Sequence, residues 1–227
     1  MKLIITNDDG IKAQGLTVLA DLASRWGDPV IVAPAEPQSG VGHQLTTDCP
    51  IRVDNYSDKQ YRVWGTPGDC TRLGIECLTS DADWVLSGIN HGANLGVDIY
   101  ESGTVAAARE AAIHGYKAIA VSHYTVKGKP IDWVLAAKRL GPVLECLLNT
   151  PLEDGYFLNV NLPHPDHSSI TLGTKLVPVD TSSYKNMFSK TKNGFQYTVN
   201  YSERPHEQGT DIDKCFKGYI SISKIKI

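Results

Sequence analysis

Short apolar runs alternate with helically spaced segments through the first 150 residues of this chain, and that alternation constrains its fold more than any other feature. Residues 3–6, 30–33, 84–87 and 118–122 read as buried strands, and 16–25, 67–78 and 105–114 as helices. Strand–helix–strand repeats of this kind build a doubly wound, mostly parallel sheet with helices on both faces. A longer amphipathic helix is expected over 131–148, kinked where Gly141 and Pro142 interrupt it. After Pro151 the pattern changes: 156–162, 170–177, 195–201 and 219–227 look like strands, with a helical turn at 211–216. Residues 1–150 therefore read as the sheet-and-helix core. Residues 151–227 read as a β-rich extension that either completes the same sheet, projecting a hairpin, or serves assembly. Ile220, Ile222 and Ile225 alternate with Ser221, Ser223 and Lys224, as suits an edge strand or a contact with a partner subunit.

Composition narrows the function. With 227 residues, 41% hydrophobic and 21% charged, the chain fits one α/β domain with additions. A net charge of -3 argues against a surface that coats nucleic acid, so small-molecule chemistry is expected. The five cysteines form no C-x-x-C pair and read as reduced, mostly buried thiols. Two acids follow the opening apolar run too soon for a signal peptide, and no stretch reaches about 18 apolar residues. A soluble, cytoplasmic protein with no membrane partner is the expectation.

The opening strand breaks directly into Asn7-Asp8-Asp9-Gly10. Ligands in open parallel sheets bind at the carboxyl ends of strands, so Asp8 and Asp9 should sit at the lip of a cleft. Neighbouring carboxylates there suit a hard divalent cation, which keeps both ionised. The same residues also suit a tight turn, or an N-cap of the next helix. Loops after other strands carry Ser39, Asn90 and Asn94, and all should emerge on one side, where Ser39 and Asn90 could add neutral oxygens. Ser102-Gly103-Thr104 opens an alanine-rich helix and suits either a phosphate cradle or an ordinary cap. No P-loop and no dinucleotide-binding glycine pattern is present. His43 and His91 read as loop bystanders, and Thr66 with Asp69 as a turn and helix cap.

With these residues assembled, the chain resembles the SurE family of 5'-nucleotidases. The matching pieces are Thr6 to Ile11, Ala33-Pro34 with Ser39-Gly40, Leu45-Thr46, Gly65-Thr66-Pro67 with Asp69-Cys70, Ser87 to Asn90 with Gly92 and Asn94 to Gly96, Ser102 to Val105, and Ala118 to Ser122. The resemblance implies a Rossmann-like three-layer α/β fold and a phosphomonoesterase acting on nucleoside 5'-monophosphates. It implies one divalent ion per subunit on Asp8, Asp9, Ser39 and Asn90, with Asp8 and Asp9 catalytic, and the oxygen-only ligand set favours Mg2+ or Mn2+. It places phosphate at Asn94, Ser102, Gly103 and Thr104, and implies a homodimer or homotetramer that exchanges C-terminal elements. Glu101 departs from the family's usual tyrosine and puts a negative charge beside the phosphate pocket. Attack by a metal-activated water is expected in preference to an aspartyl-phosphate route. The rival from another class is a non-catalytic nucleotide or metal sensor using the same cleft.

Overall fold

A computed structural model of the protein describes residues 1–79, 81–164, 173–185 and 187–227. In chain order the strands are β1 (Lys2–Thr6), β2 (Asp28–Pro34), β3 (Val53–Ser57), β4 (Gln60–Val63), β5 (Trp84–His91), β6 (Lys117–His123), β7 (Tyr156–Leu162), β8 (Thr174–Leu176), β9 (Phe188–Thr191), β10 (Gly194–Tyr197) and β11 (Ile220–Lys226). Nine form one sheet in the order β3-β4-β2-β1-β5-β6-β7-β11-β8. The run from β4 to β7 is parallel throughout, whereas β3 and β11 pair antiparallel to β4 and β7. β9 and β10 make a separate antiparallel hairpin.

Alternation along β1 explains the layers. Leu3 and Ile5 point into one apolar cluster and Ile4 into the other, and all three are fully buried. Each such burial contributes about 1.5–3 kcal/mol. Helices α1 (Gln14–Ala23), α2 (Pro67–Leu73), α3 (Gly103–Ile113) and α4 (Trp133–Leu148) cover the two faces, α1 and α4 on the Leu3 side, α2 and α3 on the Ile4 side. The alanines of α3 let it lie close to the sheet, and Ala107, Ala108 and Ala111 are fully buried. α5 (Asp211–Phe216) packs Ile212 and Cys215 on Leu95 in a small third cluster. No helix among the described residues is long and apolar enough to cross a membrane.

Several expectations are corrected. The β3–β4 hairpin was not anticipated, because its half-exposed residues lack an apolar run. Strand β5 continues to His91, so Asn90 belongs to a strand, not a loop. α4 starts at Trp133 behind an Asp132 cap and runs unbroken through Pro142. Ile220 and Ile222 do not form an edge: β11 lies between β7 and β8, and both side chains are buried in the chain's own core. Tyr201 falls in a 3-10 turn beyond β10. Residues 170–172 of the strand expected over 170–177 lie outside the described residues, and β8 occupies Thr174–Leu176. Of the thiols only Cys70 and Cys215 are buried, whereas Cys49, Cys77 and Cys146 are exposed.

Candidate active site

Where β1 ends, the buried Asn7 ties off a tight turn. Its amide donates to Gly10 O at 3.0 Å and its oxygen accepts from Gly10 N at 3.2 Å. Gly10 has φ +95°, a conformation that suits glycine. Helix α1 is capped at Ala13, so neither acid serves as its N-cap. The turn and the cleft are therefore one device, with Asn7 fixing the backbone that presents Asp8 and Asp9.

The two acids differ in environment. Asp8 is 5% exposed, and its Oδ1 accepts the Thr104 hydroxyl. Burial pushes its carboxyl up to about 6, against the Thr104 bond and with the added repulsion of Asp9. Asp9 is half-buried, and its Oδ2 accepts from the backbone N–H of His91 at 2.9 Å.

Ser39 sits exposed on a long loop that is fixed at several points. Gln38 N donates to Asp8 O at 2.7 Å, Gly42 N to Glu101 O at 3.0 Å, and Thr46 to Asp69 through both its N–H and its hydroxyl. Asp69 also completes a capping box with Thr66 at the start of α2. His43 is not a bystander, since its Nε2 lies 2.6 Å from Glu110 on α3. Although burial opposes ionisation, bonds from Arg72, His43 and His114 hold the Glu110 carboxyl below its usual range.

Asn90, the penultimate residue of β5, commits its amide nitrogen to Gly92 O at 2.9 Å, which keeps its oxygen for a ligand. Asn94 is gripped from below: its amide donates to Ser122, its N–H to Asn161, and its carbonyl accepts from Asn159 and Asn161. Ser102 Oγ caps α3 by accepting from Val105 N at 3.1 Å. A Cβ at Gly103 would lie 2.9 Å from Asp8 Cβ, so only glycine lets α3 approach the acid this closely. One cavity of about 320 Å³ collects Asp8, Asp9, Ser39, Asn90, Asn94 and Ser102 on its wall, with Gly103 and Thr104 packed beneath Asp8.

More of the wall comes from residues that, Glu101 apart, no motif announces. Asp98, Glu101, Tyr184, Tyr197 and Tyr201 line it. Arg204, 3% exposed, pairs with Asp98 and lies 4.4 Å from the Tyr184 ring, and Tyr184 OH donates to Asp98 at 3.1 Å. Asn159 and Asn161 also escaped notice, although polar residues two apart in an otherwise apolar strand mark one face of β7.

The donors facing the cavity are carboxylate, hydroxyl and carboxamide oxygens, the set a hard divalent cation prefers. No group of three or more His, Cys, Asp or Glu that could hold a metal occurs among the described residues. A cation on the Asp8–Asp9 pair would thus complete its shell with neutral oxygens, and it would relieve the cost of ionising Asp8 beside Asp9.

Comparisons with known proteins agree with this architecture. The model of the survival protein SurE family matches residues 3–186. A Nostoc sp. protein provisionally named a 5'-nucleotidase is 44% identical over the full length of both chains. The 5'-nucleotidase SurE of Erythrobacter litoralis is 34% identical over all of this chain and 94% of its own. The crystal structure of the Aquifex aeolicus SurE protein superposes with a TM-score of 0.88 at 32% identity, covering all of this chain and 93% of that one. The chain belongs to the survival protein SurE family.

Proposed function

We propose that this chain is a divalent-metal-dependent 5'-nucleotidase that hydrolyses nucleoside 5'-monophosphates to nucleoside and phosphate. The observation that carries the reading is the convergence of Asp8, Asp9, Ser39, Asn90, Asn94 and Ser102 on one cavity at the carboxyl end of a parallel sheet. The names carried by the relatives point the same way.

In this reading Asp8 and Asp9, with Ser39 and Asn90, would hold one Mg2+ or Mn2+ per subunit. When bound, the cation neutralises charge on the phosphoryl oxygens and makes water more acidic. The protein's own part is positional. Thr104 and the His91 N–H orient the carboxylates of Asp8 and Asp9, and the Asn159–Asn161 grip fixes Asn94 toward the phosphoryl group. Ser102 stands at the positive end of the α3 dipole, which favours the dianionic ester. Water gives up one proton as its oxygen forms the new P–O bond, the P–O5' bond breaks, and the departing nucleoside oxygen takes up one proton, so that water is divided between phosphate and nucleoside. We also read the working form as a homodimer or homotetramer, since the β9–β10 hairpin exposes Phe188 (58%) and Phe195 (74%).

Phosphate release from purified protein with AMP, with and without Mg2+ or Mn2+, tests the reading. Metal-dependent release is expected. Nucleotide binding without release would favour a sensor, and light scattering decides the assembly.

A further inference from the structure

Of the residues proposed to hold the cation, Ser39 is the one that no packed element carries. Asp8 and Asp9 follow β1 directly and Asn90 lies within β5, whereas Ser39 belongs to the stretch 35–52, which contains no helix, no strand and no buried residue. A Cβ at Gly40 would meet nothing within 4 Å, and one at Gly42 only Tyr100 O at 3.6 Å. Packing therefore does not fix the segment beside Ser39, and the entropy lost in ordering it has to be offset by hydrogen bonds.

Gln38 N donates to Asp8 O at 2.7 Å on one side of Ser39, and Gly42 N to Glu101 O at 3.0 Å on the other. Gly40, Val41 and Gly42 have no side chain that can hydrogen-bond, so His43 is the next residue able to anchor the loop by its side chain. Its Nε2 lies 2.6 Å from Glu110 Oε2. Glu110 belongs to α3, the helix whose Thr104 bonds Asp8, and its side chain is 1% exposed. Arg72 of α2 and His114 of α3 donate to its Oε1. Burial opposes ionisation of Glu110, yet these donors and His43 keep it ionised. An ionised carboxylate only accepts, so Nε2 of His43 carries the proton of the bond. A buried anion fixed from two helices thus reaches the loop through a charge-assisted bond.

We propose that Glu110 is a positioning residue: acting through His43, it holds the 35–52 loop against α3 and so keeps Ser39 at the cleft before any cation arrives. The inference rests on the nucleotidase reading and adds a residue to it. Without the anchor the loop samples positions in which Ser39 has left the cleft, and a cation binds only the fraction of molecules in which Ser39 is in place. Bonds to charged groups are strong enough that losing this one, with Gln38 N and Gly42 N still paired, should lower that fraction about 10-fold. Once a cation is bound the loop is held again, so the loss falls on metal affinity more than on turnover.

The test compares wild type, His43→Ala, His43→Gln, Glu110→Gln and the double variant His43→Ala with Glu110→Gln, all as full chains. Calorimetry with MnCl2 on chelator-treated protein gives the Mn2+ affinity. Deuterium uptake over residues 38–43 in chelator reports the loop without metal, and phosphate release from AMP at saturating Mn2+ gives kcat. His43→Ala should bind Mn2+ about 10-fold more weakly and exchange the loop about 10-fold faster. Its kcat at saturating Mn2+ should fall less than about threefold. His43→Gln, which can still donate to Glu110, should recover most of the affinity, and the double variant should lose little more than His43→Ala alone. If Glu110→Gln does not fold, the comparison of His43→Ala with His43→Gln carries the decision, since His43 is only half-buried. A lower melting temperature with unchanged Mn2+ affinity, unchanged loop exchange in His43→Ala, or losses that add in the double variant overturn the proposal. Absence of Mn2+ binding or of AMP turnover in wild type overturns the nucleotidase reading instead, and the exchange of residues 38–43 still decides whether Glu110 holds the loop.

Discussion

Replacing Asp8 with asparagine should make the metal-free protein more stable while removing its activity. In the fold, burial raises the Asp8 carboxyl from 3.8 to about 6, with Asp9 adding to the effect. The folded protein therefore binds a proton more readily than the unfolded chain does. Below 3.8 the two states are equally protonated at this site and there is no cost. As pH rises from 3.8 to about 6 the unfolded chain loses its proton first, so stability falls, and above that window the whole cost is present. At about 1.4 kcal/mol per pH unit this amounts to about 3 kcal/mol at pH 8. Asparagine keeps the shape and still accepts the Thr104 hydroxyl, but it carries no charge. For a domain of this size the gain corresponds to about 6–12 °C in melting temperature. The assay is thermal unfolding of both proteins in chelator from pH 4 to pH 8, repeated in Mn2+, alongside phosphate release. The variant should melt higher at pH 8 and converge with wild type at pH 4. It should gain less from Mn2+ and lose at least about 100-fold in turnover. A variant that is no more stable than wild type at pH 8 in chelator, or one whose advantage does not shrink toward acid, would refute the reasoning.

Other expectations follow from neighbouring features. Gly103→Val drives a side chain against Asp8 Cβ and Pro67 Cγ, and should cost about 1–3 kcal/mol in melting experiments as well as nearly all phosphate release. Ile222→Ala should cost about 2–5 kcal/mol by denaturant titration, since Ile222 is buried in the chain's own core; a loss of oligomer with no loss of monomer stability would contradict its placement. His123 is pushed down to about 4, chiefly by burial, so the unfolded chain binds the extra proton between about 4 and 6.5 and stability should rise with pH across that range. This slope opposes that of Asp8, so it should stand out in pH-dependent melting of Asp8→Asn and vanish in a second variant that adds His123→Asn.

Much of the fold was legible because β1, β2, β5 and β6 are compact apolar runs and the helices between them keep their spacing. The β3–β4 hairpin was not, since Val53 to Ser57 are half-exposed or exposed and their strand character comes from backbone pairing. β11 misled for the opposite reason. Its alternating serines imitate a solvated face, yet Ser221 and Ser223 are each 1% exposed, and Ser223 Oγ donates to Val177 O at 2.8 Å. In the cleft, Asp8 and Asp9 were visible because two acids at the end of a buried strand have few purely structural uses. The supports of Asn94 were invisible because Asn159 and Asn161 lie 65 and 67 residues away from it, joined only by the register of β6 with β7.

The placement of β11 between β7 and β8 also bears on how the chain reaches its native state. Residues 2–123 can close most of the sheet as they are made, but β7 keeps one row of backbone groups unpaired until residues 220–226 arrive. β8 is synthesised earlier than β11 and yet joins the sheet only through it. A nascent chain arrested in this interval carries an open, apolar strand edge, the kind of surface that recruits another copy by strand addition. β11, made after both of the strands it joins, is thus the one that closes this edge of β7.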